Sequence, residues 1–222
     1  MNKAVVLFSG GLDSTALLAR AIKEFDLVHA LSFDYGQRHG GAELRAAEDV
    51  ARILAPHEWR LVNIPGVRDL LKGSSQTDDS VPVPLGHYAE ESMKATVVPN
   101  RNMMMLAIAT AYAISLRADA VGYAAHHGDH AIYPDCRPEF VNALGGAIGL
   151  ADWHHVDLWA PFINKSKAEI VVEGMAHWAP LAMTWSCYSG GSVQCGRCGT
   201  CVERREAFAV AGLDDPTTYL EV

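Results

Sequence analysis

Five consecutive apolar residues, Ala4-Val5-Val6-Leu7-Phe8, run directly into Ser9-Gly10-Gly11-Leu12-Asp13-Ser14-Thr15, and an apolar-periodic stretch follows at residues 16–23. An unbroken apolar run of this length suits a strand buried on both faces, and Ala16, Leu17, Ala19, Arg20 and Lys23 fall at helical spacing. The order is therefore strand, glycine loop, helix, with Ser14 or Thr15 as the helix cap. Two glycines let the backbone turn sharply and approach a bound group closely. The unpaired amides of the following helix, with its dipole, favour an anion there. The loop reads as a phosphate cradle, and a tight turn of small residues is the bland alternative. It has neither the spacing and lysine of G-x-x-x-x-G-K-[ST] nor the spacing of G-x-G-x-x-G, so it is a phosphate loop of another kind.

The 222 residues allow one sizeable core, or one domain with a small appendage. A net charge of −8 argues against a broad electrostatic footprint for nucleic acid and favours small-molecule chemistry. No apolar stretch approaches membrane-spanning length, and the first residues lack the charged-then-apolar pattern of a secretory signal. The expectation is a cytoplasmic protein with no membrane or nucleic-acid partner.

Further strands are expected at residues 27–33 and 60–64, with a helix between them at 42–54, which completes a β-α-β-α-β alternation and so a parallel sheet with helices on its faces. Asp34 to His39 lie at the carboxyl end of the second strand, the edge where open parallel sheets bind ligands. Residues 73–86, rich in Ser, Thr, Asp, Pro and Gly, read as a mobile loop with the makings of a lid. Residues 103–116 form a nearly all-apolar helix, whose methionines belong to packing. At its start stand Asn100, Arg101 and Asn102: Arg101 reads as a ligand contact, and one asparagine as a cap.

A fourth strand at 120–124 ends in His126, His127, Asp129 and His130, read as a pocket-lining loop ahead of a metal site. Asp135 and Arg137 are candidate site residues in the turn before a helix opening at Pro138, and Cys136 reads as buried filler. After a fifth strand at 154–160, Lys165 and Lys167 open a helix, and either surface solubility or phosphate contact explains them.

Four of the five cysteines, Cys187, Cys195, Cys198 and Cys201, give C-x7-C-x2-C-x2-C. Two-residue spacing on turns converges soft thiolates as a structural Zn2+ site requires, and an iron–sulfur cluster is the competing occupant. Four thiolates leave no open coordination position, which assigns the metal to folding. A helix is expected at 200–210, and Arg197, Arg204 and Arg205 read as a solvated basic face.

The segment Ser9 to Ser14 resembles the PP-loop of the ATP pyrophosphatase superfamily, which splits ATP between the α and β phosphates. Together with FDYGQRH at 33–39, VPNRN at 98–102, YPDCRPEF at 133–140, SKAEI at 166–170, and WSCY followed by CGRCGTC, the chain closely resembles the 7-cyano-7-deazaguanine synthase family. The resemblance implies an α/β fold with an open parallel sheet, helices on both faces and a small C-terminal zinc-binding region. The expected units are 1–180, binding ATP, and 181–222, holding zinc. It implies an ATP-dependent ligase that joins 7-carboxy-7-deazaguanine and ammonia into the nitrile precursor of queuosine, with ATP as co-substrate, Mg2+ on the phosphates, a structural Zn2+, and commonly a homodimer. Leu7, Phe8, Ser9, Gly10, Gly11, Leu12, Asp13, Ser14, Thr15, Ala16 and Leu17 are then the ATP segment. Asp13 is then tied to the loop and the metal-bound phosphates, Arg101, Lys165 and Lys167 stabilise charge on the phosphates or carboxylate, and Asp135 hydrogen-bonds the guanine-like edge. A tRNA-modifying relative and a non-enzymatic zinc-ribbon module are the rival readings. The acidic, short chain speaks against the first, and the unused ATP loop against the second.

Overall fold

Successive residues of the first strand, β1 (Lys3–Leu7), enter two different cores. Ala4, Val6 and Phe8 pack into one buried cluster, and Val5 and Leu7 into another, as a strand covered on both faces must. The computed structural model describes residues 1–87 and 90–220, so residues 221 and 222 of the C-terminal region lie outside it. Its five strands, β1, β2 (Leu27–Asp34), β3 (Glu58–Asn63), β4 (Ala120–Gly122) and β5 (Asp157–Trp159), form one sheet in the order β3-β2-β1-β4-β5. Every pairing is parallel, with Val5 beside His29 on one side and Val121 on the other.

Eight helices connect or flank these strands among the described residues: α1 (Leu12–Glu24), α2 (Gly40–Leu54), the short α3 (Val67–Leu70) and α4 (Glu90–Met93), α5 (Arg101–Leu116), α6 (Pro138–Gly149), α7 (Lys167–Ala176) and α8 (Gly199–Val210). On one face Leu17 and Leu18 of α1, Val50 of α2, Ile170 of α7 and Phe208 of α8 share a cluster. On the other, Leu106 and Ala109 of α5 and Ile148 of α6 do. This is the expected α/β architecture with helices on both faces. The chain winds outward from β1 to β3, then returns through α5 to place β4 on the opposite side of β1. That reversal opens a crevice beyond the carboxyl ends of β1 and β4, and the glycine loop lies at it.

Several local expectations are corrected. The first helix begins at Leu12, so Asp13, Ser14 and Thr15 sit in its opening turn, and its cap is Gly11 rather than Ser14 or Thr15. The Ser14 hydroxyl instead donates back to the Gly11 carbonyl at 3.2 Å, and Thr15 is buried. Neither asparagine caps α5 with its side chain; Asn100 takes the cap position in the left-handed region at φ 54°. Residues 73–86 do not begin as a lid. Ser74, Ser75, Gln76 and Thr77 are buried, with Gln76 O accepting from Arg38 N at 2.8 Å and Ser75 N donating to Ala95 O at 2.7 Å. Arg204 is fully buried, donating to Thr184 Oγ1 at 2.6 Å and Leu181 O at 2.9 Å and paired with Asp215 at 3.1 Å, while Arg197 and Arg205 are exposed as expected. No helix among the described residues is long and apolar enough to cross a membrane.

Candidate active site

Gly10 explains the shape of the loop. Its φ is +82°, and a Cβ there would stand 2.5 Å from Ala47 N and 2.9 Å from Glu43 O, so only glycine lets the loop lie against α2. Ser9 and Ser14 close the turn, with Ser9 N donating to Ser14 Oγ at 3.2 Å and Gly11 N to Ser9 Oγ at 3.2 Å. No side chain caps the first turn of α1, which leaves that end of the helix for an anion.

The cleft beside the loop is lined by Leu7, Phe8, Ser9, Gly11, Leu12, Asp13 and Ser14, by Phe33, Tyr35, Gln37, His39 and Glu43 from the end of β2 and the start of α2, and by Arg101, Asn102 and Met105 of α5. Tyr123, Asp129 and Cys136 after β4, Lys167, and Trp185, Ser186, Tyr188 and Thr200 from the cysteine-rich region complete the wall. Of the residues expected to hold ATP, Gly10 turns toward α2, and Ala16 and Leu17 point into the core. Lys165 and Asp135 also stand outside the lining. The Lys165 ammonium is salt-bridged to Glu173, and Asp135 Oδ2 accepts from the Asn102 amide at 3.4 Å at the head of α5.

At one end of the cleft three helices bring charge together. Lys167 Nζ is 2.9 Å from Asp13 Oδ2 and 3.0 Å from Glu203 Oε2. Burial acts to raise the Asp13 pKa, but Lys167 and His126 beside it bring it below the ordinary carboxylate value. Burial would lower Lys167, yet Asp13, Glu203 and Asp129 together raise it, so it is a cation throughout the physiological range. His126 is fully buried. Its Nδ1 accepts from Gly128 N at 3.1 Å, so Nε2 bears a hydrogen, and Nε2 lies 3.4 Å from Asp129 Oδ2 and 3.8 Å from Asp13 Oδ2. His126, Asp129 and Glu203 converge closely enough to surround an ion. With Nδ1 committed to a backbone donor, however, Nε2 has no free lone pair to offer, so the hard oxygens of Asp13 and Asp129 at the cleft are the better cation ligands.

At the other end stands Arg101. Burial works against its charge, but Tyr35, Tyr188 and Asp135 raise its pKa well above the ordinary arginine value, leaving a permanent cation in an aromatic wall. Glu43 lies across the same pocket. Burial acts to raise its pKa, but His39 and Gln37 outweigh that and keep it ionised, Gln37 Nε2 donating at 2.8 Å. Cys136 is a buried thiol with a pKa pushed well up by burial, in keeping with filler rather than nucleophile.

Glu203, Glu43 and Tyr188 were not singled out by sequence reasoning. In the structure Glu203 borders the buried face of α8 marked by Thr200, Arg204, Ala207 and Phe208, but in the sequence it stands in a charged run that conceals this.

Cys187, Cys195, Cys198 and Cys201 are all buried, and their sulfurs lie within 4.8 Å of one another. Cys198 and Cys201 approach to 3.5 Å. A single tetrahedral ion with metal–sulfur bonds of about 2.3 Å sets its sulfurs about 3.8 Å apart, so the site fits one mononuclear ion and is too tight for an inorganic sulfide core. The amides of Cys195, Arg197 and Cys198 point at Cys187 and Cys195 sulfurs at 3.3–3.4 Å, the environment a thiolate prefers. The segment also touches the glycine loop, since Trp185 N donates to Gly10 O at 3.0 Å.

The doubly wound parallel sheet with an uncapped glycine loop at its switch point has the architecture of the PP-loop fold class. The family model described as "Queuosine biosynthesis protein QueC" matches residues 3–212, and the chain belongs to that family. It is 53% identical over 219 residues to a 7-cyano-7-deazaguanine synthase of Rhizobium etli, covering 98% of this chain and 92% of the relative. It is 48% identical to one of Pseudoalteromonas translucida, with coverage of 98% and 99%. Among solved structures, the NMN synthetase from Francisella tularensis aligns with a TM-score of 0.50 at 16% identity, covering 95% of this chain and 77% of that one, a likeness of fold alone.

Proposed function

We infer that the chain converts 7-carboxy-7-deazaguanine and ammonia into 7-cyano-7-deazaguanine in queuosine biosynthesis, with ATP activating the oxygen that must leave. The single observation that carries this is that one cleft is lined both by an uncapped glycine loop suited to an anion and by the permanently charged Arg101. A carboxylate is a poor electrophile, and attack of its oxygen on the α-phosphate of ATP, with the α–β bond broken and pyrophosphate released, makes that oxygen part of an AMP leaving group. Ammonia then displaces AMP to give the amide. The amide oxygen then attacks a second ATP at the α-phosphate, releasing pyrophosphate and one N–H proton, and loss of AMP with the remaining N–H proton leaves the nitrile. Both rounds use one site, which is why one loop suffices.

In this reading Ser9, Gly11 and Ser14 with the head of α1 cradle the phosphates, and Lys167 offsets the charge that develops on pyrophosphate. Arg101 holds the carboxylate, and Asp135 supports Arg101 through the head of α5 rather than touching the heterocycle. Glu43 is better placed than Asp135 to meet the guanine-like edge. Lys165 contributes through its carbonyl, which accepts from His127 N at 2.9 Å and braces the turn carrying His126 and Asp129. Asp13 and Asp129 are the oxygen ligands available to Mg2+, which when bound would neutralise phosphate charge. Cys187, Cys195, Cys198 and Cys201 hold Zn2+ and keep residues 181–220 against the ATP-binding unit 1–180. A homodimer in the cytoplasm completes the reading.

The test is turnover of purified protein with Mg-ATP, ammonium and 7-carboxy-7-deazaguanine, followed by mass spectrometry. Nitrile and AMP formed only when all components are present support it. ATP consumption that ignores this acid refutes the substrate.

A further inference from the structure

We propose that Glu203 is a positioning residue for the ATP-cleaving step, fixing the Lys167 ammonium between itself and Asp13 at the mouth of the glycine loop. The proposal rests on the reading above, that the cleft adenylates a carboxylic acid. Three helices meet at this point: Asp13 comes from the first turn of α1, Lys167 from the first turn of α7, and Glu203 from α8. A lysine is a point charge on a long flexible stem. One carboxylate would leave that stem free to pivot. Two carboxylates on different helices, at 2.9 and 3.0 Å, hold the charge at one place.

The surroundings bear this out. Glu203 is only 13% exposed, burial and the neighbouring Asp129 and Asp13 raise its pKa, and the Lys167 ammonium at 3.0 Å is the chief group favouring its charge. A Cβ on Gly128 would crowd the His126 ring at 3.0 Å and reach ordinary contact with Glu203 Oε1 at 3.5 Å, so Gly128 packs directly beside both side chains. The position of Glu203 is set from its own helix: Cys198 is the cap residue of α8 and Cys201 lies in its first turn, half a turn before Glu203. The cysteine centre thus reaches the ATP loop twice, through Glu203 on Lys167 and through Trp185 N on Gly10 O.

Acid-dependent exchange of labelled pyrophosphate into ATP isolates the first adenylation from the steps after it. Glu203→Gln keeps the shape of the side chain and should retain zinc content and melting temperature while slowing exchange on the order of tenfold to a hundredfold, the effect of displacing a catalytic group by a fraction of an ångström to an ångström. The fall should appear in the rate at saturating ATP rather than in the KM for ATP. Lys167→Gln should lose at least as much, and the double variant no more than Lys167→Gln alone, because Glu203 acts through Lys167. Glu203→Asp, which keeps the charge, should recover part of the loss. Wild-type exchange in Glu203→Gln, multiplied losses in the double variant, or equal losses in the Gln and Asp variants would overturn the proposal alone. Absence of acid-dependent exchange in the wild-type chain would remove the adenylation reading and this proposal with it.

Discussion

Lys167 Nζ lies 2.9 Å from Asp13 Oδ2 across 154 residues of sequence, joining the first turn of α1 to the first turn of α7. The pair sits in a cleft wall and shares its cation with Glu203. Removing the charge of one partner in a buried pair costs about 3–5 kcal/mol when the other is left uncompensated. In Asp13→Asn, Lys167 keeps Glu203, so the loss of stability should stay below that range. In Lys167→Gln, Asp13 and Glu203 face each other with no cation between, and since burial already raises the Glu203 pKa the site takes up a proton, so the cost should exceed that of Asp13→Asn without reaching that of an uncompensated charge. Denaturant unfolding should therefore rank Lys167→Gln below Asp13→Asn, and both should lose about 100- to 1,000-fold in kcat/KM as a charge-stabilising contact is removed. Equal stabilities would show that Glu203 does not share the cation.

Gly10 should be the least replaceable residue of the loop. Gly10→Ala combines a left-handed backbone, costing about 1 kcal/mol, with an overlap against the α2 backbone, which typically adds about 1–3 kcal/mol. Gly11→Ala meets only Ser9 Oγ at 3.2 Å and Trp185 O at 3.6 Å. Thermal melts should show Gly10→Ala clearly the less stable of the two, and a reversed order would contradict the described packing.

The four-cysteine centre makes a prediction about metal removal. An ion bound a thousandfold above its Kd adds about 4 kcal/mol to stability. For a chain of this length each kcal/mol is worth about 2–4 °C, so chelation or Cys201→Ser should lower Tm by about 8–16 °C. Because Trp185 lines the cleft and its indole donates to Cys187 O at 2.8 Å, its fluorescence should change in the same step. Loss of metal without either change would separate the centre from the cleft.

Glu58 couples the sheet edge to α5. Arg60, then Tyr112 and His29, lower its pKa from 4.5 to about 2. The folded value lies below the unfolded one, so the stability this gives is fully present above pH 4.5 and is lost as pH falls toward 2. Melting curves of wild type and Glu58→Gln should be separated at pH 7 and converge between pH 4.5 and 2. A separation that is independent of pH would assign the effect to packing.

The β-α-β order, the loop and the cysteine centre were legible in the sequence because each is local: a run, a turn and a spacing. What stayed hidden depends on neighbours distant in sequence. Ser74 to Thr77 have the composition of a surface loop, but backbone partners at Arg38 and Ala95 make their burial affordable. Glu203 and Arg204 stand in a charged run that reads as surface, and only Lys167 and Asp215 from other segments explain their burial. The helix start at Leu12 was missed because a phosphate loop leaves uncapped the turn that an ordinary helix would close with a side chain.

The central claim is that one cleft activates two oxygens in turn, and the fate of those oxygens tests it. With both carboxyl oxygens of 7-carboxy-7-deazaguanine labelled as 18O, the account predicts two AMP per nitrile and one 18O in each AMP. Label released into water, or a single AMP per nitrile, would contradict it.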